Sequence, residues 1–272
     1  MLCVFDCETV PDVGLLRNVY DDYKEQSDDL KLCEAVFNAQ EESSGSSFLP
    51  LPFHKIITIS ALICDDFGRF VKIGNFASNE ADSNNLPEES KILEEFLAYL
   101  NKNNPKLVSF NGRNFDLPTI MLRAMKYYLS AESYFETSNE MMPHKNKWEN
   151  YRSRYSENFH IDLLESLGSF GAVRGLKLDI VCKMAGIVGK YDTKGDDVYK
   201  LFYAKEYRKI EEYCQSDVLN TYWLYLKYQL LQGKISVVEY GDLLNIFLEK
   251  IPKDKSYSDT FKEALKLALQ NL

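Results

Sequence analysis

The chain has 272 residues, 45% of them apolar, which is ample for a packed core in one large α/β domain or two small ones. Its formal net charge of −9 excludes a protein that coats nucleic acid through bulk electrostatics, because phosphate binding calls for a basic surface. No apolar run approaches the roughly 18 residues that cross a bilayer, and the first residues lack the basic and apolar regions of a signal peptide, so a cytoplasmic protein with no membrane partner is expected.

In chain order, Leu2, Val4 and Phe5 form a short strand-forming run, and Asp6 and Glu8 follow two residues apart. Residues i and i+2 of a strand share a face, so two carboxylates would stand side by side about 7 Å apart, which is costly unless something positive lies between them. Residues 13–47 turn helical and acidic and end in Ser43-Ser44-Gly45-Ser46-Ser47. This insertion reads as a solvated excursion, or else as a flap over the substrate or a partner surface.

A β-branched run over 56–63, a turn at Asp66-Phe67-Gly68 and a returning strand over 70–73 predict a hairpin. Pro87-Glu88-Glu89 then opens a helix whose apolar positions are Ile92, Leu93, Phe96, Leu97 and Leu100. A short strand over 107–110 follows, so the order predicts a mixed sheet with crossover helices. Beyond it stand Asn111, Phe115 and Asp116, and a helix opened by Pro118 and carrying Ile120, Met125, Tyr128 and Leu129 holds Asp116 at its entrance.

Between 143 and 155 basic residues (Lys145, Lys147, Arg152, Arg154) alternate with Trp148, Tyr151 and Tyr155. That segment is either a groove for a nucleic-acid strand or a surface loop pinned by its aromatics. Next come a short strand at His160-Ile161 capped into a helix by Asp162, a helix over 176–185, and a glycine-bearing loop with Gly189-Lys190 and Lys194-Gly195-Asp196-Asp197. The loop reads as a simple turn, with phosphate binding by Lys190 as the other reading. A long helix over 210–231 puts Tyr213 and Asp217 four residues apart on one face, and 234–272 adds two amphipathic segments.

His54 and His160 read as structural and His144 as exposed. The six cysteines, Cys3, Cys7, Cys33, Cys64, Cys182 and Cys214, lack C-x-x-C spacing and read as buried free thiols rather than zinc ligands or disulfides.

Asp6/Glu8, Asn111/Phe115/Asp116 and Tyr213/Asp217 together resemble the D-x-E, N-x-x-x-F-D and Y-x-x-x-D motifs of the DEDD superfamily of 3′–5′ exonucleases, the DnaQ-like branch of the ribonuclease H-like fold, in its tyrosine subgroup. The histidine subgroup would need His where Glu212 stands. A closer resemblance is to the bacterial family of predicted 3′–5′ exonucleases related to the proofreading domain of family B DNA polymerases. It is carried outside the catalytic motifs by Thr9-Val10-Pro11-Asp12, Pro52-Phe53-His54-Lys55, His160-Ile161-Asp162-Leu163, Gly186-Ile187-Val188-Gly189-Lys190 and Cys214-Gln215-Ser216, with Gln215 standing where Glu is expected. This resemblance runs from residue 1 to about 230 and leaves the tail after Leu231 outside.

The resemblance implies an α/β, ribonuclease H-like fold with a mixed five-stranded sheet flanked by helices. The exonuclease domain is expected over 1–232, with 233–272 a helical extension packed on it. Asp6, Glu8, Asp116 and Asp217 would be metal ligands and, with Tyr213, the catalytic residues, while Thr9, Asn111 and Phe115 would meet the terminal nucleotide. Crowded carboxylates either stay protonated or bind cations, and oxygen-only ligands favour two Mg²⁺ or Mn²⁺ over Zn²⁺. The expected activity is hydrolysis at the 3′ end of single-stranded nucleic acid, DNA ahead of RNA, with release of 5′-mononucleotides and any polymerase or repair partner acting in trans. A catalytically weak binding module that keeps the fold, and an endonuclease on the same chemistry, stay open beside it.

Overall fold

The computed structural model describes residues 1–78, 85–138, 145–190 and 197–272, so His144 and Lys194-Gly195-Asp196 lie outside the described residues. The strand read over the first residues runs on as β1 (Leu2–Pro11), through both carboxylates. It does so because β2 (His54–Cys64) pairs with it antiparallel from Leu2↔Cys64 to Pro11↔His54, with an irregularity between Glu8 and Thr9. The intervening insertion carries α1 (Val13–Val19) and α2 (Asp29–Ser44), each capped at its start by an aspartate side chain, Asp12 and Asp28.

β3 (Phe70–Asn75) returns antiparallel to β2, and α3 (Glu89–Asn103) crosses to β4 (Lys106–Ser109), which lies parallel to β1. α4 (Asp116–Lys126) and the single turn α5 (Glu132–Phe135) lead to β5 (His160–Asp162), parallel to β4. The sheet order is β3-β2-β1-β4-β5. Then come α6 (Leu163–Leu167), α7 (Leu178–Met184), α8 (Val198–Tyr203), α9 (Tyr207–Leu231), α10 (Val237–Lys250) and α11 (Ser258–Gln270). This antiparallel hairpin continued by two parallel strands is the mixed five-stranded α/β sheet of the ribonuclease H-like fold. α4 stops at Lys126, earlier than its apolar pattern suggested, because Tyr128 turns into the left-handed region (φ 55°).

β1 separates two cores. Leu2 and Val4 face α7 and α9, with α10 and α11 packed beyond through Tyr240, Leu244, Phe247 and Phe261. Cys3, Phe5 and Cys7 face α3 and α4. All six cysteines are buried free thiols. Gln215 bridges two elements: its amide donates to Asn75 Oδ1 (2.8 Å) while its carbonyl accepts from the Tyr257 hydroxyl (2.6 Å). No helix among the described residues is long and apolar enough to cross a membrane.

The end of β1 is fastened by a buried charge network. Arg123 of α4, 3% exposed, donates to Glu89 at the start of α3 and to Asp12 at the end of β1 (2.7 Å). Glu89 also accepts the Ile56 amide (2.8 Å) and the Tyr127 hydroxyl (2.7 Å), and Asp12 accepts from Leu15 N–H. Removing the cation strands the buried Glu89 and leaves Asp12 only the half-exposed Lys126 (3.3 Å), so Arg123→Met is expected to cost about 3–5 kcal/mol, read as the shift of a urea unfolding midpoint. A loss under 1 kcal/mol would show that the carboxylates find other partners.

Candidate active site

β4 covers β1 only along Leu2–Val4, so past Phe5 one flank of β1 has lost its neighbouring strand. An opening at the carboxyl ends of β1 and β4, where the chain's course through the sheet reverses, is where sheets of this kind place ligands. The exposed donor left there is answered at once: Cys7 N–H donates to Asp116 Oδ1 (3.0 Å). Asp116 reaches that point from the first residue of α4, behind the loop 110–115.

That loop has three restraints. The Asp162 carboxylate accepts from Asn111 N–H (2.9 Å) and Arg113 N–H (2.8 Å), and also caps α6 through Leu164 N–H. Asn111 sits in the left-handed region (φ 72°), which asparagine tolerates better than most residues. Gly112 lies against Ser109 and Phe5, and a Cβ there would come within 2.6 Å of Ser109 Cβ, so no larger residue fits without moving the strand.

From the other face, α9 lies across β1 and presents Tyr213, Cys214 and Asp217. Cys214 Sγ donates to the Asp6 carbonyl (3.5 Å) and lies 3.9 Å from Asp6 Oδ2. Potential ligand atoms of Asp6, Glu8 and Cys214 all fall within 4.8 Å of one another.

The electrostatics describe a cluster of like charges. Burial pushes the Asp6 carboxyl well above the usual carboxylate range, and the charges of Asp116, Glu8 and Asp217 push it further. Glu8 is raised by burial and then by Asp217 and Asp116. Burial lifts Asp116 and Asp217 to about 6 each. Asp217 is 7% exposed, and its Oδ1 is buried with no hydrogen-bond partner among the described residues. The positive charge opposing all this is Lys190, which lowers Asp6, Glu8 and Asp217 and donates to the Tyr213 hydroxyl.

Lys190 is where the sequence reading fell short, since its loop reads as a plain turn. The Asn220 side chain clamps Gly189 through both N–H and C=O (3.0 Å each), and Lys190 N–H donates to Asp179 (2.7 Å). Gly189 is left-handed (φ 68°) and a Cβ on it would meet Asp179 Oδ1 at 2.6 Å. Asn220 stands three residues after Asp217, so the same helix that carries Tyr213 and Asp217 also aims Lys190 at them. The Gly-Lys pair was the available signal, but its target is visible only in three dimensions.

The remaining sequence candidates have definite places. Thr9 donates its hydroxyl to His54 Nδ1 (2.9 Å), because His54 Nε2–H is spent on the Leu49 carbonyl (3.1 Å) and burial keeps the ring neutral. Phe115 packs edge-on to the His54 ring, with centroids 5.1 Å apart. His54 thus ties the residue after Glu8 to the residue before Asp116. His160 is buried and bonds Ser109 (2.8 Å), a structural part.

The segment 145–155 divides. Lys145 is buried, with its ammonium held by Asn104, Ser133 and Glu136, and the buried Tyr151 donates to the Pro105 carbonyl (2.7 Å). Those two residues pin the loop and have nothing left for phosphate or base. Trp148 and Tyr155 stay exposed.

The fold and the site together describe an α/β protein of the ribonuclease H-like kind with a buried carboxylate cluster at its sheet opening. Over residues 46–265 the chain matches the family described as predicted 3′–5′ exonucleases related to the exonuclease domain of PolB, and it belongs to that family. The match takes in α10 and most of α11, which the sequence resemblance left out, and begins after β1, so Asp6 and Glu8 stand outside the matched residues. Among solved structures, the chain is similar to the family B DNA polymerase from the hyperthermophilic archaeon Pyrobaculum calidifontis, at 14% identity and a TM-score of 0.47. That similarity covers 97% of this chain and 26% of the polymerase chain, so the chain spans about a quarter of the polymerase's length. No curated protein matches the chain.

Carboxyls raised above their unfolded values stabilise the protein while protonated, and that contribution is lost as pH rises through the folded values. For Asp217 the window runs from its unfolded value near 4 up to about 6. In EDTA, Asp217→Asn is therefore expected to melt about 5 °C above wild type at pH 7, with the gap closing toward pH 5. A variant that never exceeds wild type at pH 7 would mean that the charges are already neutralised.

Proposed function

We propose that the chain is a metal-dependent 3′–5′ exonuclease acting on the 3′ end of single-stranded nucleic acid, DNA ahead of RNA, and releasing 5′-mononucleotides. The observation that carries this reading is the meeting of Asp6, Glu8, Asp116 and Asp217, from three separate segments, in one buried cluster that Lys190, the opposing cation among the described residues, only partly neutralises.

A divalent pair fits that space on chemical grounds. The orphaned Asp217 Oδ1 lacks a partner that a cation would supply. Burial keeps the Cys214 thiol protonated, so the donors are carboxylate oxygens, which suit Mg²⁺ or Mn²⁺ rather than a thiophilic metal. Asp6, Glu8, Asp116 and Asp217 would hold the ions. Such ions polarise a phosphate, supply hydroxide at neutral pH and neutralise the leaving oxygen.

The chain's own groups do the positioning. Burial and the neighbouring carboxylates push the Tyr213 phenol far up, so it stays protonated and orients by hydrogen bonding instead of taking a proton. Lys190 donates to that hydroxyl, which fixes its direction and leaves an ammonium beside the place where phosphate charge would develop. Thr9 and Phe115, joined by His54, flank the carboxylates where the terminal nucleotide would lie. A polymerase or repair factor would act in trans.

Digestion of a 5′-labelled single strand with Mn²⁺ tests the reading: a ladder shortening from the 3′ end is expected, with circular strands left whole and EDTA stopping the reaction. Asp6→Ala is expected to lose at least about 10²–10³-fold in kcat while remaining folded. Binding of the strand without cleavage would replace the enzyme with a binding module, and cut circles would replace the exonuclease with an endonuclease.

Tyr213→Phe and Lys190→Met separate positioning from ligation. Each is expected to cost about 10–100-fold in kcat, with the Mn²⁺ concentration for half-maximal rate moved less than by Asp217→Asn. Unchanged kcat in both would remove them from the chemistry.

A further inference from the structure

The sequence leaves open whether the segment between β1 and β2 has any part in the activity. The structure places one of its residues against the site. Phe48, just past the serine-rich turn, is 55% exposed, yet its ring centroid lies 5.4 Å from Phe115 and 5.0 Å from His54. Phe115, His54 and Phe48 thus form a compact triangle of rings, each centroid within 5.4 Å of the other two, with Phe115 next to Asp116 in the chain and Phe48 the corner exposed to solvent. His54 also grips Thr9, next to Glu8, so the triangle is braced on both carboxylate-bearing segments.

Phe48 is not a stray surface residue. Its neighbour Leu49 is 2% exposed and joins Leu16, Leu32 and Val36 in a small core made by the insertion itself. With Leu49 anchored inward, Phe48 is held outward, and its backbone N–H donates to Ser46 Oγ (3.2 Å). The Phe48 ring lies tilted at 35° to His54 and at 65° to Phe115, so those two contacts leave the rest of its half-exposed surface open to another ring. The chain's net charge of −9 works against binding through phosphate alone, so sequence-tolerant contact through base faces suits it.

We propose that Phe48 stacks against a base within the last two nucleotides of the single strand, so that the segment joining β1 to β2 carries part of the substrate site. The inference rests on the exonuclease reading and assigns that segment a share in it. Stacking of one base on one aromatic is worth a loss of about 5- to 100-fold in binding on truncation.

The test is fluorescence anisotropy of a labelled 12-nucleotide single strand with Ca²⁺ in place of Mg²⁺, using wild type, Phe48→Ala and Phe48→Tyr, on intact strands and strands lacking the last or next-to-last base. Phe48→Ala is expected to weaken binding of the intact strand within that range, and Phe48→Tyr to stay within about twofold of wild type. On the strand missing the stacked base, wild type and Phe48→Ala should bind alike. An equal loss on every strand, or none on the intact one, overturns the proposal. Because Phe48 is largely exposed, a melting temperature close to wild type is expected for Phe48→Ala, and a large drop would also overturn it by making the residue a plug for the His54 pocket. Wild type that neither binds nor degrades the strand would overturn the exonuclease reading as well, whereas wild type that degrades it while Phe48→Ala behaves identically overturns this proposal alone.

Discussion

Everything at the candidate site follows from β1 outrunning β4. The two strands pair over only three residues, so from Phe5 onward β1 keeps β2 on one side and, among the described residues, no strand on the other. An unpaired strand flank in the interior is costly in unsatisfied backbone donors. Here the carboxylate of Asp116 satisfies one of them, at Cys7, and in doing so is drawn toward Asp6 and Glu8 on the same strand. Satisfying the backbone and crowding the charges are therefore one act. The protein tolerates the repulsion in part because Lys190 stands beside it and in part because raised carboxyls can take up protons.

The surrounding structure holds that arrangement stiff. At the far end of β1, Asp12 is held by Arg123, which also binds Glu89, so β1, α3 and α4 meet in one buried network. Asp116 begins the same helix that Arg123 ends near, so this network sets the position of α4 and hence how far Asp116 reaches. The Asp162 carboxylate does the equivalent work from β5 on the loop before α4. Neither aspartate belongs to the carboxylate cluster, and both fix the segments that carry it.

Much of this was legible in the sequence because it is written in short-range periodicity. Period-two spacing puts Asp6 and Glu8 on one face, period-four spacing does the same for Tyr213 and Asp217, and the β-branched runs and Pro-acid start of α3 mark the sheet and its crossover. What was not legible depends on contacts between distant segments. Lys145 looks like a phosphate ligand until Asn104, Ser133 and Glu136 enclose it. Lys190 looks like a turn residue until Asn220, thirty-one positions away from Gly189, fixes its direction. Tyr128 fits the helical pattern of α4, but the chain turns left-handed there and the helix ends first.

Under the proposed function, the same distinction would let an acidic chain hold a site for polyanions. Net charge describes the whole surface, while the potential at a buried opening is set by the few groups that face it and by whatever cations they gather. Four carboxylates opposed, among the described residues, by Lys190 make a cluster that is repulsive to phosphate alone and would become attractive once divalent charge is taken up. Binding of a nucleic-acid strand would then depend on the ions, on the ammonium of Lys190 and on uncharged contacts such as the Thr9–His54–Phe115 group, with the acidic exterior opposing attachment anywhere else. On this argument the negative surface would confine polyanions to a place where bound ions reverse the charge, which suits the proposed reaction at a strand's end better than a grip along its length.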